Sequence, residues 1–579
     1  MSQIMNMPEI IPLWILRFIW LPLIVFGFIR LDLGGIPIYS FQMTLESILL
    51  AGLLASFMMI FSRILRFLMA LLIVFFLIVI KAYAKFYADY ASLDDLIATG
   101  LSAGEGLRSL PFMHWRSSEI FGGLAFLVGC FLMPKSRLRI SMAAASFMFM
   151  IIIVYNLMGL SIVKGSPYAI HAPAFSFFMG KREKPVISVS DRNKFRPVDY
   201  LGLGYDRVVV VVMESVRTDL AYSGIMPNLL RLKRLGHGFE NFANTTQTIR
   251  SEISIYCSGL DNIYGYTYAQ RALAPRDCLP AVLRQAGWET AYFHGNTDEF
   301  FNRVRFLPLI GFNTLCFDKC LMAKGNANMI GWGVSDITTV REALAHVDTA
   351  PRPLMTAVMT LTNHFPFHDH LPVMDEEHER IRTQLDVSDP LFKYKMGHLY
   401  TDYALGQVLS FAKRMDNKTL LVLTGDHGLY EFSPKASEAT RQYNYMRVPL
   451  VVVGSKLSPR KDISSHLDIA PTILMHVGGK MNALGNNLLG HKKESTERLI
   501  PLAKMGYPGF VNNEAYCFSS PAGSTINSAY QRDRFRFLHP EQSCQCITHR
   551  ERKLTRVDCD HRFEAVLGLH EFFSEEVNR

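Results

Sequence analysis

Two hydrophobic rhythms divide the chain. Up to about residue 164 the apolar positions come in long blocks, at 10–29, 44–62, 64–80, 120–134 and 140–163. Each block is long or apolar enough to cross about 30 Å of hydrocarbon as a slightly tilted helix. The pattern therefore predicts a multi-pass α-helical membrane domain with five transmembrane helices over 1–164. For the short 120–134 block, a re-entrant or interfacial segment is the alternative. The first block contains Arg17 and ends without a small-residue cleavage site, so it reads as a retained helix and not a cleaved leader.

After a Pro-containing juxtamembrane linker at 165–204 the rhythm shortens. Apolar runs at Val208–Met213, Thr290–Phe293, Met355–Leu361, Leu420–Leu423 and Pro449–Val453 alternate with helical stretches. That alternation predicts an α/β domain over 205–480 with a mostly parallel central sheet covered on both faces. Residues 481–579 hold four cysteines, the charged run His549 to Lys553 and an apolar-periodic end near Phe563 to Phe573. They read as a small Cys-containing C-terminal subdomain, with an acceptor-binding or partner-binding surface as the alternative.

Composition agrees with the first rhythm. Apolar residues make 49% of the chain and charged ones 19%, which excludes a purely soluble protein, a disordered tail and a collagen-like fibre. Lys and Arg set the orientation: Arg63, Arg66, Lys135, Arg137 and Arg139 lie in the second and fourth short loops, and the loop at 31–42 has none. That places the N-terminus inside. With five spans, everything after about residue 164 lies outside. Lys81, Lys85, Arg108 and Arg116 oppose this, in a loop long enough to weaken the rule.

Eight of the nine cysteines fall in the predicted external region and only Cys130 sits in a span, as an oxidising compartment requires. Cys316 and Cys320 are spaced to close a local loop. A zinc site from Cys544, Cys546, Cys559 and His549 or His561 competes, although it lacks paired CxxC spacing. The net charge of +9 reads as basic loops beside a bilayer and a domain working on an anionic substrate. Aromatic residues are spread without a stacking platform, so nucleic acid is not an expected partner.

The first four external runs each end in reactive polar residues: Glu214 and Ser215; His294, Gly295 and Asn296; Thr362, Asn363 and His364; Thr424, Gly425, Asp426 and His427. Ligands of an open parallel sheet bind beyond the carboxyl ends of its strands, so these clusters converge on one crevice. Singly, each is as well explained by a helix cap or a turn. Together, buried acids and imidazoles require a cation or anion to satisfy them. Glu214, Asp426 and His427 form a ligand set for Zn²⁺ or Mn²⁺. Thr248 follows a run of hydroxyl residues and precedes Ser251-Glu252, which places it near a helix N-terminus. An ordinary cap is the plain reading; a nucleophile aided by the helix end and a metal is the functional one.

In order, Met213-Glu214-Ser215, Thr248 to Glu252, His294 to Arg303, Gly331 to Asp336, Thr360 to His364, Asp426-His427-Gly428 and Ser465 to Thr472 resemble the lipoteichoic acid synthase family. These are membrane-anchored phosphoglycerol transferases of the alkaline phosphatase and sulfatase superfamily. The resemblance covers roughly 205–475. It implies a Mn²⁺ or Zn²⁺ site, with Mg²⁺ a further option, made by Glu214, Thr248, Asp426 and His427. Thr248 would attack the phosphodiester of a phospholipid headgroup and pass the glycerophosphoryl group to an acceptor. His294, Asn296, Arg303 and His364 would bind substrate.

Asn296 stands where the family usually has Asp, and Phe301 where it usually has Trp. Gly428-Leu429-Tyr430-Glu431 occupies a stretch where the family commonly has a serine. The headgroup is thus open between phosphatidylglycerol and phosphatidylethanolamine, and the acceptor among glycan, lipid and polymer. The cysteines resemble those of periplasmic phosphoethanolamine and glucan phosphoglycerol transferases, in which Cys257 and Cys278 match bridged positions. The implied place is the inner membrane of a bacterium, with the catalytic domain facing the periplasm or cell exterior. A sulfatase or phosphodiesterase hydrolase and an inactive membrane scaffold are the remaining alternatives. For the sulfatase, Cys278-Leu279-Pro280 begins the required pattern, but Val282 holds its Arg position.

Overall fold

The computed structural model describes residues 20–33, 41–87, 117–133, 196–239, 242–244, 248–260, 278–298, 300–325, 327–364, 367–368, 371–429, 437–460, 463–490, 498–504, 507–521, 542–551 and 554–558. The chain divides into two compact units, one N-terminal and one beginning at Ile187.

The N-terminal unit contains α1 (Trp20–Leu33), α2 (Phe41–Met58), α3 (Arg63–Tyr87) and α4 (Ser117–Leu132). Gly27 lets α1 close onto α4: a Cβ there would lie 2.4 Å from the Phe126 amide nitrogen. Phe28 and Phe126 meet beside it with ring centroids 5.8 Å apart. Ile24, Ala51, Ala55, Ala70 and Cys130 are buried between the helices, whereas Ile64, Leu68, Leu72, Phe75, Ile120, Phe121 and Leu124 face outward and are exposed. No helix among the described residues is by itself long and apolar enough to cross a membrane. The first half of the predicted span at 10–29 and the whole of that at 140–163 lie outside the described residues.

The second unit is built on seven strands: β1 (Arg207–Met213), β2 (His237–Phe239), β3 (Glu289–His294), β4 (Thr314–Cys316), β5 (Leu354–Met359), β6 (Thr419–Gly425) and β7 (Leu450–Val453). Their order is β2-β7-β6-β1-β5-β3-β4. Pairings from β6 across to β4 are parallel. β7 runs antiparallel between β6 and β2, so the fifth predicted run is the exception in a sheet that is otherwise parallel. β1 is central because RVVVVVM is an unbroken β-branched run, and such strands tolerate burial on both faces. Alternate residues of the sheet, among them Val209, Val211, Phe293, Val358 and Leu421, enter one core with α5 (Pro227–Leu235), α9 (Asp336–Thr349) and α10 (Phe392–Arg414). On the opposite face Tyr292 of β3 reaches α6 (Thr248–Cys257), which packs with α11 (Ile469–Val477). Two shorter helices, α7 (Leu279–Gln285) and α8 (Arg303–Leu309), flank β3 in sequence. Residues 196–200, assigned above to the linker, form a strand paired with Gly479–Ala483.

At the C-terminus β8 (Ile500–Lys504), β9 (Tyr507–Val511), β10 (Ala515–Pro521), β11 (Gln542–Thr548) and β12 (Leu554–Asp558) make an antiparallel meander. Cys517 and Cys546 face each other across β10 and β11 and are bridged. This bridge removes Cys546 from the zinc reading, and Cys559 and His561 lie outside the described residues. Cys316 is bridged to Cys320, as their spacing predicted, and Cys257 to Cys278.

The Cys257–Cys278 bridge ties the last residue of α6 to the residue before α7, closing a separation of 21 residues. By chain entropy a loop of that size contributes about 3 kcal/mol. The double substitution Cys257→Ser, Cys278→Ser should therefore lower the thermal midpoint of the full chain by several degrees. An unchanged midpoint would show that the closed loop is already restricted in the unfolded chain.

Candidate active site

Four segments meet at the carboxyl ends of the central strands. β1 ends in a turn that puts Ser215 at φ 54°, a left-handed conformation that costs a serine energy and that surrounding bonds must enforce. Those bonds are present. The Glu214 amide donates to Thr360 Oγ1 at 2.9 Å, and Asn363 Nδ2 donates to the Glu214 and Ser215 carbonyls at 3.1 and 3.3 Å. The Ser215 amide donates to Asp426 Oδ1 at 2.7 Å, and Ser215 Oγ to Glu214 Oε1 at 2.6 Å. The end of β6 can lie this close to β1 because Gly425 has no side chain: a Cβ there would sit 2.3 Å from the Val216 carbonyl.

α6 brings the third component. Thr248 is its first residue, and three positions on Ser251 Oγ donates to the Asp426 carbonyl at 2.6 Å, fastening the helix to the end of β6. Thr248 Oγ1 then lies 3.3 Å from Glu214 Oε2 and 3.1 Å from His427 Nε2. The ligand atoms of Glu214, Asp426 and His427 all fall within 4.8 Å of one another. His427 Nδ1 is 2.9 Å from the Gly428 carbonyl. A carbonyl only accepts, so Nδ1 carries a proton and Nε2 is the nitrogen that faces Thr248 and the two carboxylates.

The electrostatics of this cluster ask for positive charge. Burial and then the Glu214 carboxylate push Asp426 up to about 7. Burial disfavours a charged His427, yet Asp426 and Glu214 prevail and raise it above its ordinary value. Asp426 Oδ2 is buried and accepts no hydrogen bond, with His427 Nε2 3.4 Å away. An orphaned carboxylate oxygen beside a second carboxylate and an oriented imidazole fits a divalent cation of the Zn²⁺ or Mn²⁺ kind.

Of the predicted substrate-binding residues, His294 ends β3 with Nδ1 donating to the Met359 carbonyl at 3.2 Å. Burial, followed by the charge of Arg303, holds it well below the ordinary histidine range, so it is neutral. Arg303 is buried and its Nε donates to Glu252 Oε2 at 3.3 Å. The Tyr292 hydroxyl donates to the other oxygen of Glu252. His364 is half-buried, its ring 5.1 Å from that of Trp332. Asn296 is buried, and its side-chain carbonyl accepts the Thr297 amide at 2.7 Å, which closes a local turn.

Sequence reasoning assigned no role to several residues that build this site. Ser215, Thr360 and Asn363 stand in or beside the strand-end clusters, and that position was the available signal. Asp336 is fully buried and accepts the Leu361 and Thr362 amides at 2.7 and 3.0 Å, holding the end of β5. Tyr394, in the first turn of α10, offers no signal in the sequence.

A parallel-centred sheet with a hydroxyl-bearing helix N-terminus and paired carboxylates at its strand ends defines an alkaline phosphatase-type domain. Residues 206–479 match the Sulfatase family, and this part of the chain is a domain of the alkaline phosphatase and sulfatase superfamily. Lipoteichoic acid synthase 2 of Bacillus subtilis is 28% identical over 270 residues, which are 43% of this chain and 40% of the relative. Thus the chain aligns with less than half of that relative's length. A protein in the alkaline phosphatase superfamily from Vibrio parahaemolyticus superimposes with a TM-score of 0.53 at 17% identity, covering 68% of this chain and 92% of that one. The lipoteichoic acid synthase LtaP of Listeria monocytogenes does so with 0.50 at 18% identity, covering 68% and 96%. At these identities the two structures establish the fold.

Proposed function

We propose that the protein is a membrane-anchored, metal-dependent transferase that moves a phosphoglycerol-type headgroup from a phospholipid to an extracytoplasmic acceptor through a covalent Thr248 intermediate. The observation that carries this reading is Thr248 Oγ1, set at the start of α6 within 3.3 Å of both Glu214 and His427. Relatedness to lipoteichoic acid synthases supports the choice of donor. Glu214, Asp426, His427 and Thr248 would hold Mn²⁺ or Zn²⁺, with Mg²⁺ as a further option, and the cation supplies Lewis acidity that lowers the hydroxyl pKa and meets phosphoryl charge.

The chain's own residues do the rest. The Thr248 hydroxyl donates to Glu214 Oε2, which stands as the acceptor for its proton. Oγ1 attacks phosphorus, the Thr248 O–P bond forms, and the bond to the diacylglycerol oxygen breaks, that oxygen taking from solvent a proton equivalent to the one Thr248 gives up. The N-terminal end of α6, where Thr248 lies, favours negative charge on the phosphoryl oxygens. A neutral His294 is suited to exchange hydrogen bonds with a glycerol hydroxyl, and Arg303 sets positive charge beside it. An acceptor hydroxyl, on a glycan, a lipid or a growing polymer, then displaces Thr248 and restores it.

The exposed apolar faces of α3 and α4 support a membrane anchor. Three disulfides in the second unit support an oxidising compartment such as the periplasm. Phosphoethanolamine transfer is the second reading, favoured by Asn296 spending its side-chain carbonyl on a turn. A formylglycine sulfatase finds no support, because Cys278 is bridged to Cys257. The test is mass spectrometry of the full chain after incubation with vesicles of phosphatidylglycerol or phosphatidylethanolamine. A glycerophosphoryl adduct on Thr248 is the expected result; a phosphoethanolamine adduct would select the second reading, and no adduct from either lipid would overturn both.

A further inference from the structure

α10 passes behind the strand ends and presents Tyr394 and His398, one turn apart and both buried. The Tyr394 hydroxyl donates to the Ser215 carbonyl at 2.5 Å and accepts the Leu429 amide at 3.1 Å. One oxygen atom therefore joins the backbone one residue after Glu214 to the backbone two residues after His427.

The ring that carries this oxygen is itself held. His398 stands edge-on to it, with centroids 4.5 Å apart, Phe367 lies at 5.2 Å, and the Arg217 guanidinium at 5.7 Å. His398 Nε2 accepts the Arg217 amide at 3.2 Å and Nδ1 donates to the Tyr394 carbonyl at 2.9 Å, which fixes a neutral tautomer. Burial holds the ring neutral, down to about 4. Burial likewise keeps the Tyr394 phenol protonated, as its donor role demands.

We propose that Tyr394 is a positioning residue for the metal centre, setting the separation between Glu214 at the end of β1 and the Asp426-His427 pair at the end of β6. The inference rests on the reading that these three residues hold a divalent cation. Neither loop is regular secondary structure beyond the strand end, and the metal demands that their side chains stay within a narrow spacing. Removing the hydroxyl would leave the Ser215 carbonyl and the Leu429 amide without their shared partner, while the ring still fills its volume.

The test is a titration of the full chain in detergent with Mn²⁺ alone and with Zn²⁺ alone, paired with the thermal midpoint in chelator. Tyr394→Phe should raise the Mn²⁺ dissociation constant about ten- to a hundredfold, the range typical of residues that orient metal ligands. Val408→Ala is the control for loosening of α10. It sits in the helical core about 21 Å further along at 1.5 Å per residue, and should lower the midpoint while leaving the Mn²⁺ affinity unchanged. Parental affinity in Tyr394→Phe overturns the proposal, as does equal weakening in Val408→Ala. A parent chain that binds neither ion overturns the metal reading itself, which separates that failure from a failure of Tyr394.

Discussion

Thr248→Ala should abolish headgroup transfer, lowering turnover by on the order of 10⁴-fold or more, and should leave no covalent adduct with any lipid. The size follows from the site. Thr248 Oγ1 is the hydroxyl placed against both Glu214 and His427, and water entering in its place would lack the covalent tether that keeps the group for the acceptor. Metal content should persist, because Glu214, Asp426 and His427 are already clustered without the threonine. Thr248→Ser should restore part of the activity, since it keeps the nucleophile and loses only a methyl group. Turnover with radiolabelled lipid in vesicles, read beside metal content by mass spectrometry, checks both statements. Full activity in Thr248→Ala would remove it as nucleophile.

Asp426→Asn should reverse the metal result while also impairing transfer. Metal content should fall to background and transfer should drop by on the order of a thousandfold, since a metal contributes several kcal/mol to phosphoryl transfer. The metal-free domain should nevertheless gain stability. Asp426 Oδ1 serves the Ser215 and His427 amides, and an amide oxygen can still accept both bonds, without the charge assistance of a carboxylate. Oδ2, however, is buried without a hydrogen bond, faces the charge of Glu214 and lies 3.4 Å from His427 Nε2, so an NH₂ group there removes the repulsion and can donate to that ring nitrogen. Thermal scans in chelator should therefore place the variant above the parent. Added Mn²⁺ or Zn²⁺ should stabilise the parent alone. A variant less stable than the parent in chelator would show that the two carboxylates do not oppose one another in the metal-free state.

The central strands were legible because a parallel strand buried on both faces reads as an unbroken apolar run, and Val208 to Met213 is one. Direction was not legible. Leu450–Val453 looks like its neighbours in composition yet runs antiparallel, because direction depends on how the connection returns and not on which residues are apolar. Edge strands His237–Phe239 and Thr314–Cys316 are three residues each, too short for a period to register. Glu214, Asp426 and His427 were readable as strand-end residues, since topology alone delivers such positions to one crevice. Arg303 illustrates the limit. Its place in the motif implied a substrate contact, whereas its Glu252 partner, 51 positions away on α6, was not readable. Tyr394 and His398 were hidden for a similar reason: polar atoms at buried positions of a mostly apolar helix acquire meaning only from loops that reach them from elsewhere in the chain.

The placement of β1 at the middle of the sheet also dictates when this domain can form. Its two neighbours, Leu354–Met359 and Thr419–Gly425, are both far downstream. At a synthesis rate of about 5–20 residues per second, the roughly 145 residues made before the first neighbour is complete leave this apolar strand unpartnered for about 7 to 30 seconds. Under the proposed membrane anchoring, that interval is a competition between waiting and partitioning into lipid or pairing with another chain. Arg207, immediately before the five valines, is placed to discourage both.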